Sequence, residues 1–114
     1  MMERQIHAYD CGHCCLAYIL GIPAETVRSF MPAAELDNLQ LERALRIHRR
    51  FVGYLEIANG SRELRGSDLA ICNVTDEGHW VVYEHGNFLC PAGQEWRTED
   101  VVDFSIIVKP KEKP

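Results

Sequence analysis

Cys11 opens an apolar stretch shortly after Gln5, and Gly78-His79-Trp80 opens a strand-like run far downstream. A thiol attacks a carbonyl at neutral pH only where its thiolate is favoured. A helix N-terminus and a nearby imidazolium together supply that favouring field. Within Gln5-Ile6-His7-Ala8-Tyr9-Asp10-Cys11-Gly12-His13-Cys14-Cys15 the first cysteine falls where a helix begins, so Cys11 is the candidate nucleophile and His79 the candidate proton carrier.

The elements that must position these groups can be read from periodicity. Asp10 is placed to cap a helix in which Cys11, Cys14, Cys15, Tyr18, Ile19 and Ile22 recur at helical spacing, closed by Gly21-Ile22-Pro23. A second helix is expected from Pro23 to Met31, ended by Pro32, with Val27, Phe30 and Met31 turned inward. A third is capped by Asp37 or Asn38 and runs to near Arg50, with Glu42 placed to pair with Arg46. From Phe51 the period changes, and Phe51–Ile57, Leu69–Val74, Trp80–Glu84, Phe88–Cys90 and Asp103–Val108 read as strands. The joint Glu84-His85-Gly86-Asn87 reads as a hairpin turn, with positive φ expected at Gly86 and Asn87. Helices first and strands after predict an α+β fold, helices packed on one antiparallel sheet. One domain is expected over 1–108, with 109–114 a flexible tail.

Composition narrows the function classes. The 114 residues are 46% hydrophobic and 25% charged, which suits a globular domain able to bury its own core. A net charge of −5 opposes phosphate binding, so no nucleic-acid partner is expected. The basic run Arg43, Arg46, His48, Arg49 and Arg50 is expected to be a solvated helix face. The longest apolar run is about half of the ~20 residues that span a bilayer, so no membrane partner is expected. No apolar signal core follows Met1-Met2-Glu3-Arg4-Gln5, and five cysteines cannot all pair, which together predict a reducing, cytoplasmic setting. Cys14, Cys15 and Cys72 are expected in the core, and His7, His13, His48 and His85 in unremarkable positions.

Gln5, Asp10-Cys11-Gly12, Cys15-Leu16-Ala17, Gly78-His79-Trp80-Val81-Val82 and a strand ending before Pro91 resemble the bacteriocin-processing cysteine peptidases, papain-like proteins that cut after double-glycine leaders. The likeness runs from about Gln5 to Pro91. It implies a papain-like fold and a peptide or protein substrate with a double-glycine site; no cofactor and no metal are expected. It also implies that Gln5 stabilises the oxyanion, Cys11 attacks and His79 carries the proton. At the third place, where the family sets an acidic or amide residue before proline to orient the histidine, this chain has Cys90-Pro91. A thiol is a weaker acceptor. Either the dyad works less efficiently, or Gln94 or Asn87 orients His79, or the chain is a binding module that kept the fold.

Two other readings use the same residues. Cys11-Gly12-His13-Cys14 matches the Cys-x-x-Cys of thiol oxidoreductases, but that fold needs a strand leading into the motif, and residues 1–10 offer none. Zinc held by Cys11, Cys14 and either His79 or Cys90 would lack paired-ligand spacing in the second half of the chain.

Overall fold

Gly21 stops the first helix because only a residue at ease with positive φ can turn the chain there. It adopts φ +69°, and its N–H and that of Ile22 return to the carbonyls of Tyr18 and Ala17. The computed structural model describes residues 2–6, 9–56, 64–74, 79–101 and 104–110, the side chains of Glu56 and Phe104 excepted. In it α1 spans Cys11–Leu20, α2 Ala24–Phe30 and α3 Asn38–Ile47. The strands are β1 Phe51–Glu56, β2 Leu69–Asn73, β3 Trp80–Glu84, β4 Asn87–Leu89 and β5 Phe104–Val108, with a 3₁₀ turn at Thr98–Asp100 that the sequence reading had not marked. The fold is α+β, three helices against a five-stranded antiparallel sheet of order β1-β5-β2-β3-β4.

α1 is apolar nearly all round, with Cys11, Gly12, His13, Cys14, Cys15, Leu16, Ala17 and Ile19 all buried. It lies between α2 and β3, while α3 packs on β1 and β5. Asp37 makes the cap of α3, accepting the Gln40 N–H at 2.8 Å while the Gln40 side chain accepts the Asp37 N–H at 2.9 Å. Removing one half of such a box costs about 1 kcal/mol, so Asp37→Ala is expected to lower the urea midpoint by that increment and leave the cysteine site untouched. α2 has no side-chain cap of its own, and the Glu3 carboxylate takes the Ala24 N–H at 2.7 Å instead.

The sheet is covered on both faces. Leu69 and Ile71 of β2, Trp80 and Val82 of β3, and Ile106 and Val108 of β5 join the helices in one core. The alternate residues Ala70, Cys72, Val81 and Tyr83 form a second cluster with Val74, Val101, Phe88, Cys90 and Trp96. Burial on both faces explains why these strands read as continuous apolar runs.

Three expectations are corrected. Phe30 does not face inward with Val27 and Met31: it is 48% exposed, while Met31, which leaves the helix at φ −127°, packs against the core as expected. Positive φ in the β3–β4 turn falls at His85 and Gly86 rather than Gly86 and Asn87, because β4 begins at Asn87. α3 stops at Ile47, and Arg49 at φ +58° lets the Arg50 N–H return to the Leu45 carbonyl. The basic face is exposed at Arg43, Arg46, His48 and Arg49, while the Arg50 guanidinium donates to the carbonyls of Ile19 and Lys109. Lys109, the first residue of the expected tail, thereby holds to the fold, and 111–114 lie outside the described residues. Among the described residues no helix is long and apolar enough to cross a membrane.

Candidate active site

Cys11 is the first residue of α1, and the Asp10 carbonyl opens the helix by accepting the Cys14 N–H at 3.2 Å. The Asp10 side chain does not cap, contrary to the sequence reading. Its carboxylate, 2% exposed, takes Arg28 Nη2 at 2.6 Å and Nε at 3.1 Å, and the Ile6 N–H at 3.3 Å. A buried carboxylate gains more from a guanidinium than from a helix N–H, so the charge pair wins and ties α2 to the start of α1.

Cys11 is 4% exposed, and its sulfur accepts the backbone N–H of Trp80 at 3.4 Å. Burial pushes this thiol up, while N–H groups of Trp80, Gly12 and Cys11 itself pull it back and the neighbouring Asp10 charge adds to the rise. Desolvation is the largest of these, so the resting group is the thiol.

Trp80 follows His79, which stands at the mouth of β3, where its carbonyl accepts the Val74 N–H at 3.0 Å and extends the β2–β3 ladder. His79 Nε2 lies 3.2 Å from the Cys90 sulfur, and its ring sits 5.7 Å from that of Trp96. Burial lowers the basicity of this imidazole. Cys90 is held by a turn in which the Gly93 N–H returns to its carbonyl at 3.0 Å. The Gln5 N–H donates to the Pro91 carbonyl at 3.1 Å, and the Arg4 guanidinium lies so close over Gly93 that a Cβ there would stand 1.7 Å from Nη1. The amino-terminal segment is thus sewn onto the Cys90–Gly93 turn.

Four residues expected at the site therefore fall in one chain of neighbours: Gln5 on Pro91, Cys90 on His79, and the residue after His79 on Cys11. The two alternative orienters stand apart from it. Asn87 is exposed at the far end of β3 and bonds the His85 carbonyl, and Gln94 is exposed. His7 and Gly78 lie outside the described residues. His48 and His85 are exposed, whereas His13 is 1% exposed inside α1, its Nε2 3.0 Å from the Met31 carbonyl. Cys14, Cys15 and Cys72 are wholly buried. Cys14, the second cysteine of Cys-x-x-Cys, lies beneath Arg28 Nη2 at 3.7 Å, and burial pushes its thiol up to about 11. Among the described residues no three His, Cys, Asp or Glu side chains gather as metal ligands.

Sequence reasoning missed Trp80. Its backbone touches the sulfur and its indole N–H donates to the Leu36 carbonyl at 3.0 Å. The signal was Gly12, since a Cβ there would meet Leu36 Cβ at 3.1 Å and Trp80 Cδ1 at 3.3 Å. Leu36 Cβ cannot swing away, so Gly12→Ala must move backbone. Overpacking costs about 1–3 kcal/mol against a helical gain of about 1 kcal/mol, and a net loss near 1 kcal/mol is expected in thermal unfolding. A gain in stability would contradict the close approach.

No family model, curated protein or solved structure matches the chain.

Proposed function

We propose that the protein is a papain-like, thiol-dependent peptide hydrolase in which Cys11 is the nucleophile and His79 the proton carrier. The observation that carries this reading is the hydrogen bond from the Trp80 N–H to the Cys11 sulfur at 3.4 Å, which joins the helix start to the residue after His79. The substrate class is a peptide or protein, with a double-glycine site as the form the family resemblance suggests, and the setting is cytoplasmic.

In this mechanism the Cys11 sulfur attacks the scissile carbonyl as its proton passes to His79. The Cys90 sulfur lies 3.2 Å from Nε2 of that ring. Cys90 is a positioning residue that fixes the ring. Negative charge growing on the carbonyl oxygen is met by backbone N–H groups at the start of α1 and by the Gln5 carboxamide, each such donor being worth roughly 3 kcal/mol. His79 then protonates the departing amine and later draws a proton from water as it opens the thioester.

The burial of Cys11 favours a second reading, a papain-like binding module without turnover. A peptidyl electrophile followed by peptide mapping separates the two, since a hydrolase is modified at Cys11 and a binding module is not. The pH dependence of that modification adds a second check. Burial holds the imidazole below its ordinary 6.5 and the thiol above its ordinary 9.0, so the working state is thiol beside neutral imidazole. Protonating His79 removes the base, so the rate should fall as pH drops, with its acid midpoint below 6.5. A midpoint above that value would contradict the role given to His79.

A further inference from the structure

We infer that Cys90 is a peroxide-oxidisable thiol, with His79 as the base that takes its proton. All five cysteines are free and all are described, so they can be ranked directly. Cys14, Cys15 and Cys72 are 0% exposed and Cys11 is 4% exposed, whereas Cys90 is only partly buried. Cys90 is the least buried of the five, and its sulfur lies 3.2 Å from an imidazole nitrogen. A nucleophile within hydrogen-bond reach of a base, with the base ring packed against Trp96, is the arrangement that activates a thiol. The other four thiols are raised by burial and have no comparable access.

The oxidant is hydrogen peroxide. The Cys90 sulfur attacks one peroxide oxygen, forming the S–O bond as the O–O bond breaks. The thiol proton passes to His79 Nε2 and from there to the departing hydroxide, which leaves as water. The sulfur loses two electrons, the peroxide gains them, and the product is a sulfenic acid that a small thiol can reduce. The added oxygen is an acceptor within the apolar cluster that holds Cys90 and Trp96, and the buried Trp96 indole nitrogen has no hydrogen-bond partner there. This chemistry does not require that the site hydrolyse peptides.

The full chain, fully reduced, is treated with hydrogen peroxide in the presence of dimedone, and each cysteine is followed by peptide mapping over time. The expected result is addition at Cys90 first, and a fall of about 100-fold in its rate in His79→Ala and His79→Gln, the usual scale of a lost general base. Circular dichroism of both variants establishes that the fold is kept, and whichever variant folds supplies the comparison. First addition at any other cysteine, no addition, or a Cys90 rate unchanged by loss of His79 overturns the inference. Modification of Cys11 by a peptidyl electrophile is read separately, so the hydrolase proposal and this one fail independently.

Discussion

Cys11→Ala and His79→Ala are each expected to abolish peptide cleavage, and Cys11→Ala/His79→Ala together to be no worse than either alone. Without the sulfur no acyl intermediate forms, and without the imidazole neither the attack nor amine departure has a proton carrier. Nucleophile and base act as one unit, so losing either removes about 10⁴- to 10⁶-fold in kcat, and the double change adds little. The assay is cleavage of a peptide mixture followed by mass spectrometry, with circular dichroism as the control for fold. Cys11 is 4% exposed and the change to alanine removes only its sulfur, so Cys11→Ala should fold. Continued cleavage by both single variants would defeat the hydrolase proposal.

The largest expected change in stability comes from Arg28→Met. The Asp10–Arg28 pair has N···O at 2.6 Å, with the carboxylate side chain 3% and the guanidinium side chain 24% exposed. Removing one partner of a buried pair costs about 3–5 kcal/mol because the other charge stays desolvated. Partial solvent access at Arg28 places this case at the lower end, near 3 kcal/mol. That is a large part of the roughly 5–15 kcal/mol that holds a small domain together. The variant Asp10→Asn/Arg28→Met should recover part of the loss, since it leaves no charge buried, and the four urea midpoints of the cycle measure the coupling. Equal stability of Arg28→Met and the parent protein would show that the pair does not hold α2 to the start of α1. Because Asp10 precedes Cys11, Arg28→Met is also expected to loosen the sulfur from Trp80.

How far this could be read in advance depends on the range of each interaction. α1 was legible because Gly21 and the spacing of Cys11, Cys14, Cys15 and Ile19 are local signals, and the Asp37–Gln40 cap needed only neighbours along the chain. β2, β3 and β5 were legible because burial on both faces leaves continuous apolar runs. Local reading failed where a distant group outbid a near one. Asp10 turned from the helix N–H groups to Arg28, Glu3 capped a helix to which it does not belong, and β5, last in sequence, took the place between β1 and β2.

The sequence by itself determined which residue types stand where chemistry could be done: a cysteine where a helix begins, a histidine where a strand begins, and a cysteine before proline where an amide or acid was expected. The tertiary structure alone decided their relations. It set Cys90 rather than Asn87 or Gln94 against His79, bonded Cys11 to the backbone of Trp80, and left Cys90 as the least buried of the five cysteines. The physical reason is that residue type and helical or strand period depend on near neighbours, whereas desolvation and contact depend on which elements pack together.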